Sequence, residues 1–286
     1  MQLSSIARWL KKADSREREN QLLVVNTEGR GKDVVFVHGL AASPETWEGA
    51  RARLGPDVRL HLVHMKGFAG SAPSSAREPG NFLKPMADDL ADYIRSLGKG
   101  PVPVVGHSMG GLGSLILGRD HADVVSKLMV VDVPAFFSVL ITPFATAGSM
   151  GHLAEHSRRR YIDKSADSLE DELRRANEKL VGDPDMVERV LRWAVESDRE
   201  TVADVMAEVM VTDLRGDLAR IKAPVDVIYA WDKNGHSTKS SLERTYQSAY
   251  AGLTRGRQVR IDNARHYVMF DQPDIFYKEV RDWLGR

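Results

Sequence analysis

The sequence predicts an α/β fold, a mostly parallel central sheet with flanking helices and an inserted helical cap. Three observations carry this. Apolar runs of strand length alternate with longer stretches of helical period, the pattern of parallel strands joined by crossover helices. A glycine-flanked turn, Gly106-His107-Ser108-Met109-Gly110, joins one such run to a helix rich in small residues. The alternation is then broken once, from Pro134 to Gly216, by a long polar and helical stretch.

Taken in order, residues 1–20 read as a short amphipathic helix. Arg8, Lys11, Lys12, Arg16 and Arg18 stand among acids there, with no continuous apolar segment of the kind a secretory signal carries. Leu22 to Asn26, Val34 to His38 and Val58 to His64 are strand candidates, the second running directly into Gly39. Pro85 to Leu97 reads as a surface helix, with Met86, Leu90, Tyr93, Ile94 and Leu97 at helical spacing and Gly98 just past its end. Val102 to Val105 is a short buried strand, and Met109 to Gly118 a helix suited to close packing on a sheet. Lys127 to Val131 and Val225 to Ala230 are further β-rich runs, followed closely by Asp132 and Asp232. After them come a helix over Ser241 to Leu253, a last strand over Gln258 to Ile261 and a closing helix over Pro273 to Leu284. The expected organisation is therefore a core of residues 21–133 and 217–286 with a helical cap at 134–216, without repeats or flexible linkers.

Composition narrows the partner. The 286 residues are 42% hydrophobic and 28% charged, as in an ordinary globular protein, and 40 basic residues balance 40 acidic ones. That balance gives no reason to expect nucleic acid or an anionic membrane surface, and favours a small, largely uncharged molecule. Cysteine is absent, which removes disulfides, thiolate metal sites and a cysteine nucleophile together. No His/Asp/Glu spacing resembles a metal site. No window approaches the roughly eighteen continuous apolar residues of a membrane span. A cytoplasmic location is the expectation, with an exported form after signal removal as its alternative.

Ser108 is the candidate nucleophile. A serine hydroxyl is weakly nucleophilic at neutral pH, so it needs a base within reach, an exposed position and donors for the oxyanion its attack creates. Gly106 and Gly110 permit the tight strand-to-helix turn that meets the second need. The plain alternative is a turn serine that only caps the following helix. His107 neighbours Ser108 too closely to serve as its base and reads as a packing residue.

With these residues in place, the chain resembles the α/β-hydrolase family along nearly its whole length, and within it the serine carboxylesterases with a helical cap. Val34-Val35-Phe36-Val37-His38-Gly39-Leu40 is similar to the strand and turn before that family's oxyanion hole, Gly106 to Gly111 to its nucleophile elbow, and Asn263-Ala264-Arg265-His266 to the stretch holding its histidine. The resemblance implies an oxyanion hole of the Leu40 and Met109 backbone N–H groups, with His38 bracing the loop, and His266 as the general base. It also implies Asp232 as the orienting acid, at the usual place after the penultimate strand. Asp132 is the alternative, because the order Ser, Asp, His admits either. Many relatives carry an Asp before Arg-Gly-X-Gly-X-Ser, whereas this chain reads His64-Met65-Lys66-Gly67-Phe68-Ala69-Gly70-Ser71, without that acid.

The implied function is hydrolysis of a small to medium carboxylic ester through an acyl-enzyme, without a cofactor. Phe68, Phe137 and Phe144 are candidate substrate-lining residues, with Phe136, Leu140, Ile141, Met150, Met206 and Met210 as further apolar cap candidates that a cap core would equally use. A thioesterase, lactonase or carbon–carbon bond hydrolase would use the same residues. Relatives with dehalogenase or epoxide hydrolase activity carry Asp at the elbow, which Ser108 argues against. A receptor that holds a small ligand under the cap is the non-enzymatic alternative.

Overall fold

A computed structural model describes residues 16–235 and 237–286. Eight strands form one sheet in the order β1-β2-β4-β3-β5-β6-β7-β8: Arg16–Glu19 (β1), Leu23–Glu28 (β2), Lys32–Val37 (β3), Val58–Met65 (β4), Val102–His107 (β5), Val125–Val131 (β6), Val225–Trp231 (β7) and Gln258–Asp262 (β8). The first two junctions are antiparallel, and from β4 to β8 every pairing is parallel. The mostly parallel α/β fold expected from the sequence is what the chain adopts.

The central strands are continuous apolar runs because both faces of the sheet are covered. In β3, Val35 and Val37 enter one hydrophobic cluster and Val34 and Phe36 the other, and the period of two is repeated by Val130 and Val131 in β6 and by Val227 and Ile228 in β7. The first cluster takes the inner sides of Leu83–Ser96 (α2) and Met109–Asp120 (α3); the second takes Ala50–Leu54 (α1), Val268–Asp271 (α9) and Pro273–Gly285 (α10).

Four helices stand between β6 and β7: Ala147–Asp163 (α4), Ala166–Leu180 (α5), Pro184–Val195 (α6) and Arg199–Val211 (α7). They are anchored on the sheet layers from both sides, with Val202, Val205 and Val209 of α7 in the first cluster and Val187, Val190 and Trp193 of α6 in the second. Glu208 of α7 accepts from the N–H groups of Phe82 and Leu83 at 2.7 and 3.0 Å, closing the open first turn of α2. Buried Asp204 of α7 binds both Arg77, in the loop before α2, and Arg158 of α4, the latter at 2.5 Å. Arg158 thus reaches a buried acid, while its neighbours Arg159 and Arg160 pair with Glu155 and Glu172.

The N-terminal expectation needs correcting where the chain is described. Residues 16–19 form an edge strand antiparallel to β2, in register Arg16↔Thr27, and not the end of a helix. Arg-Glu-Arg-Glu has no apolar periodicity to reveal a strand, and pairing with an open sheet edge supplies the backbone partners instead. Residues 1–15 of that expected helix lie outside the described residues. Among the described residues, no helix is long and apolar enough to cross a membrane.

Candidate active site

Ser108 stands between β5 and α3 with φ 54° and ψ −125°, a conformation a non-glycine residue rarely holds. The elbow is this tight because the backbone is crowded on both sides. A Cβ on Gly106 would lie 2.4 Å from the carbonyl oxygen of Gly110, and one on Gly110 would lie 2.3 Å from that of His38. The Ser108 N–H donates to Val131 at 2.8 Å, tying the elbow to the end of β6. Its side chain makes no capping bond to α3, so the plain capping role does not apply.

His266, in the loop after β8, donates from Nδ1 to Oδ2 of Asp132 at 2.8 Å. That bond places the proton on Nδ1 and leaves Nε2 as the basic nitrogen. Asp132 follows β6 directly and also has a positive φ, 53°. Its second oxygen, Oδ1, accepts from the Ala230 N–H at 2.8 Å and faces the Tyr246 hydroxyl at 3.4 Å.

Asp232 does not reach His266, which corrects the preferred sequence reading. Its Oδ1 accepts from the Asn234 N–H at 2.7 Å and its carbonyl from that of Gly235 at 3.0 Å, so it closes the turn leaving β7. Register explains the difference. Val131 lies opposite Ile228, so the residue after β6 meets the amide of Ala230 and turns toward the histidine loop, while Asp232 already lies beyond the end of β7.

His107 is more than a packing residue. Fully buried, it donates from Nε2 to the carbonyl of His266 at 3.0 Å, with the two ring centroids 4.5 Å apart. Burial, and then the neighbouring His266, hold its pKa well below the usual histidine range, so the ring is neutral.

His38 is wired to the loop that follows β3. Its Nδ1 donates to the carbonyl of Gly39 at 2.8 Å, and its Nε2 accepts from the Met65 N–H at 3.2 Å. Burial, and then His64, press its pKa down to about 3. In a trans peptide the N–H opposes the C=O, so fixing the Gly39 carbonyl turns the Leu40 N–H the other way. The loop passes close over Ser108, since a Cβ on Gly39 would lie 3.1 Å from that of Ser108. Met109 opens α3, where a helix leaves its first N–H groups without intrahelical partners.

A sequence model described as the alpha/beta hydrolase family matches residues 34–279, which include the elbow, both acids and His266. The chain belongs to the alpha/beta hydrolase family. This hydrolase is 34% identical over 105 residues to a pimeloyl-[acyl-carrier protein] methyl ester esterase from Vibrio vulnificus, a match that spans 37% of this chain and only 38% of that protein. It is 26% identical over 261 residues to an sn-1-specific diacylglycerol lipase from Mus musculus, covering 88% of this chain and 80% of the lipase. Among solved structures, an esterase from Thermogutta terrifontis superposes with a TM-score of 0.76 at 20% identity, covering 94% of this chain and 98% of that one. An enol-lactonase from Burkholderia xenovorans gives 0.74 at 18% identity, covering 92% and 97%. At such identities these two likenesses speak for the fold.

The apolar candidates of the hydrolase fall in three different places. Phe68 is fully buried against His38 and Phe82, with ring centroids 6.2 and 5.7 Å away, and presents no surface to a ligand. Phe137 is half-buried between the first cluster and the small core of the inserted helices. Phe144 is 89% exposed and lines nothing. The loop that lacks the family's acid is held otherwise: His64 donates to the carbonyl of Phe68 at 2.8 Å, Ala69 N–H to the Ser197 hydroxyl at 2.9 Å, and Gly70 N–H to the carbonyl of Glu196 at 3.0 Å. Sequence reasoning missed the contacts of His107, His64, Ala230 and Tyr246. Only His107, adjacent to Ser108, carried a signal.

Proposed function

We propose that this hydrolase cleaves a small to medium carboxylic ester through an acyl-enzyme on Ser108. The observation that carries the reading is the 2.8 Å bond from His266 Nδ1 to Asp132, which leaves Nε2 free to take the serine proton. Ser108 Oγ attacks the ester carbonyl as its proton passes to His266 Nε2. The resulting oxyanion is held by the N–H groups of Leu40 and Met109. The tetrahedral intermediate collapses, the alkoxide leaves with the proton from His266, and the acyl group stays on Ser108. Water then attacks the acyl carbonyl, giving its proton to His266, and the acid departs as Ser108 is reprotonated. Asp132 stabilises the imidazolium in both halves and keeps its own charge.

Residues 134–216 are assigned as a cap that shapes the acyl pocket, with Phe137 as the remaining aromatic lining candidate. Esters are preferred over thioesters, lactones and carbon–carbon bonds because relatives named as a methyl ester esterase and as a lipase share sequence with this chain. The assignment is tested with p-nitrophenyl acetate and butyrate. A burst of p-nitrophenol equal to the enzyme concentration, followed by turnover, is expected, and Ser108→Ala should abolish both. Full activity in Ser108→Ala overturns the mechanism, and saturable ligand binding without turnover favours the receptor.

A further inference from the structure

We propose that Tyr246 and Tyr250, four residues apart on Lys239–Ala249 (α8) and its C-terminal cap, are positioning residues that hold the Asp132–Val133 corner in the geometry His266 requires. The inference rests on the reading of Asp132 as the orienting acid.

The corner is costly to keep. Asp132 has φ 53°, which a residue with a side chain adopts at an expense that the surroundings must offset. The Asp132 N–H donates to Ile228 at 2.7 Å, and Oδ1 accepts from Ala230 at 2.8 Å. These two bonds come from β7 and leave the outer side of the corner open. Helix α8 closes it. The Tyr246 phenol, 2% exposed, directs its hydroxyl at Oδ1 of Asp132 at 3.4 Å, and the equally buried Tyr250 donates to the carbonyl of Val133 at 2.7 Å. Spacing of four residues puts both phenols on one helix face. Tyr229 stacks on Tyr246 at 4.3 Å and 13°, which fixes the ring that carries the first hydroxyl. A buried hydroxyl needs a partner, and here the two partners are the acid and the carbonyl that follows it.

Each carboxylate oxygen thus has its own duty: Oδ2 faces His266, while Oδ1 is held by Ala230 and Tyr246. Removing the Tyr246 hydroxyl leaves Oδ1 with the Ala230 N–H alone, so the carboxylate is freer to turn out of line with Nδ1 of His266.

Tyr246→Phe and Tyr250→Phe keep the rings and remove only the hydroxyls. Tyr246→Phe is expected to lower kcat about five- to tenfold with KM unchanged. The acid limb of its pH–rate profile should move, and the low-field proton resonance of His266 Nδ1–H should shift or broaden. Tyr250→Phe should move the same three readouts less, with the double variant non-additive. Unchanged kcat, acid limb and resonance in Tyr246→Phe overturn the proposal. The resonance is read without turnover, so it decides the matter even if esters are not the substrate. A slow Asp132→Asn beside a normal Tyr246→Phe defeats this inference alone, whereas a fully active Ser108→Ala defeats the functional reading beneath it.

Discussion

Asp132 and His266 stand 134 positions apart in the chain and meet at 2.8 Å, carboxylate Oδ2 to imidazole Nδ1. Asp232, the acid at the end of the neighbouring strand, spends its carboxylate on the amide of Asn234. Exchanging either acid for its amide should therefore have unequal effects. Asp132→Asn is expected to lower kcat by about 10³- to 10⁴-fold, because an amide both stabilises the imidazolium poorly and favours the wrong tautomer. Asp232→Asn should stay within about twofold, since an Asn side chain also accepts in such a turn. Steady-state kinetics on p-nitrophenyl butyrate check both, and a damaging Asp232→Asn contradicts the assignment.

His107 holds the backbone of His266 through a single 3.0 Å bond to its carbonyl. His107→Ala removes that anchor and opens a void beside His266. We expect kcat to fall about tenfold and the melting temperature to drop by several degrees, while His107→Gln, which can present an N–H, recovers part of both. Equal loss in the two variants would point to the volume of the ring and not to its hydrogen bond.

Acid should destabilise the fold in a defined window. His38, with a pKa near 3, and His64 and His107, also depressed by burial, take up protons less readily in the folded chain than in the unfolded chain, which takes them up below about pH 6.5. The unfolded state then binds more protons, so stability is fully present above pH 6.5 and is lost as pH falls toward the folded values, by up to about 1.4 kcal/mol per pH unit for each group. Urea midpoints measured from pH 7 down to 4.5 should fall accordingly. His64→Asn keeps a donor for Phe68 but has no such titration, and should flatten the slope. A midpoint independent of pH across that range refutes the account.

Asp204 is buried between Arg77 and Arg158, and its loss leaves two guanidinium groups without their shared acid. Asp204→Ala should destabilise the chain by about 3 kcal/mol in urea unfolding with little change in m. A change under about 0.5 kcal/mol would show the contact to be energetically idle.

The strands from β3 to β8 were legible because their signal is local. Val34 to Val37 is apolar without interruption, as a strand covered on both faces must be, and the Gly106 to Gly110 turn announces the elbow by composition. The edge strand Arg16–Glu19 was not legible, because its partner is 11 residues away at Thr27 and none of its four residues is apolar. The choice of acid failed for a similar reason. Both aspartates follow β-rich runs in the permitted chain order, and the deciding facts are the register of β6 on β7 and the Ala230 amide. The roles of His107 and Tyr246 rest on contacts 159 and 114 positions distant, beyond any periodicity.

The loop after β4 joins two parts usually thought of as separable. Its Gly67 carbonyl accepts from Asp198 at 2.8 Å, and a Cβ on Gly67 would strike Thr201 at 2.8 Å, so it is moulded to the junction of α6 and α7. Met65 at the end of β4 meanwhile donates to His38, which grips the carbonyl of Gly39. The transplantable module in this hydrolase is consequently larger than residues 134–216. Under the proposed function, a graft that imports foreign helices between β6 and β7 must bring residues 64–71 with them, because those residues tie the inserted helices to His38 and the Gly39 carbonyl.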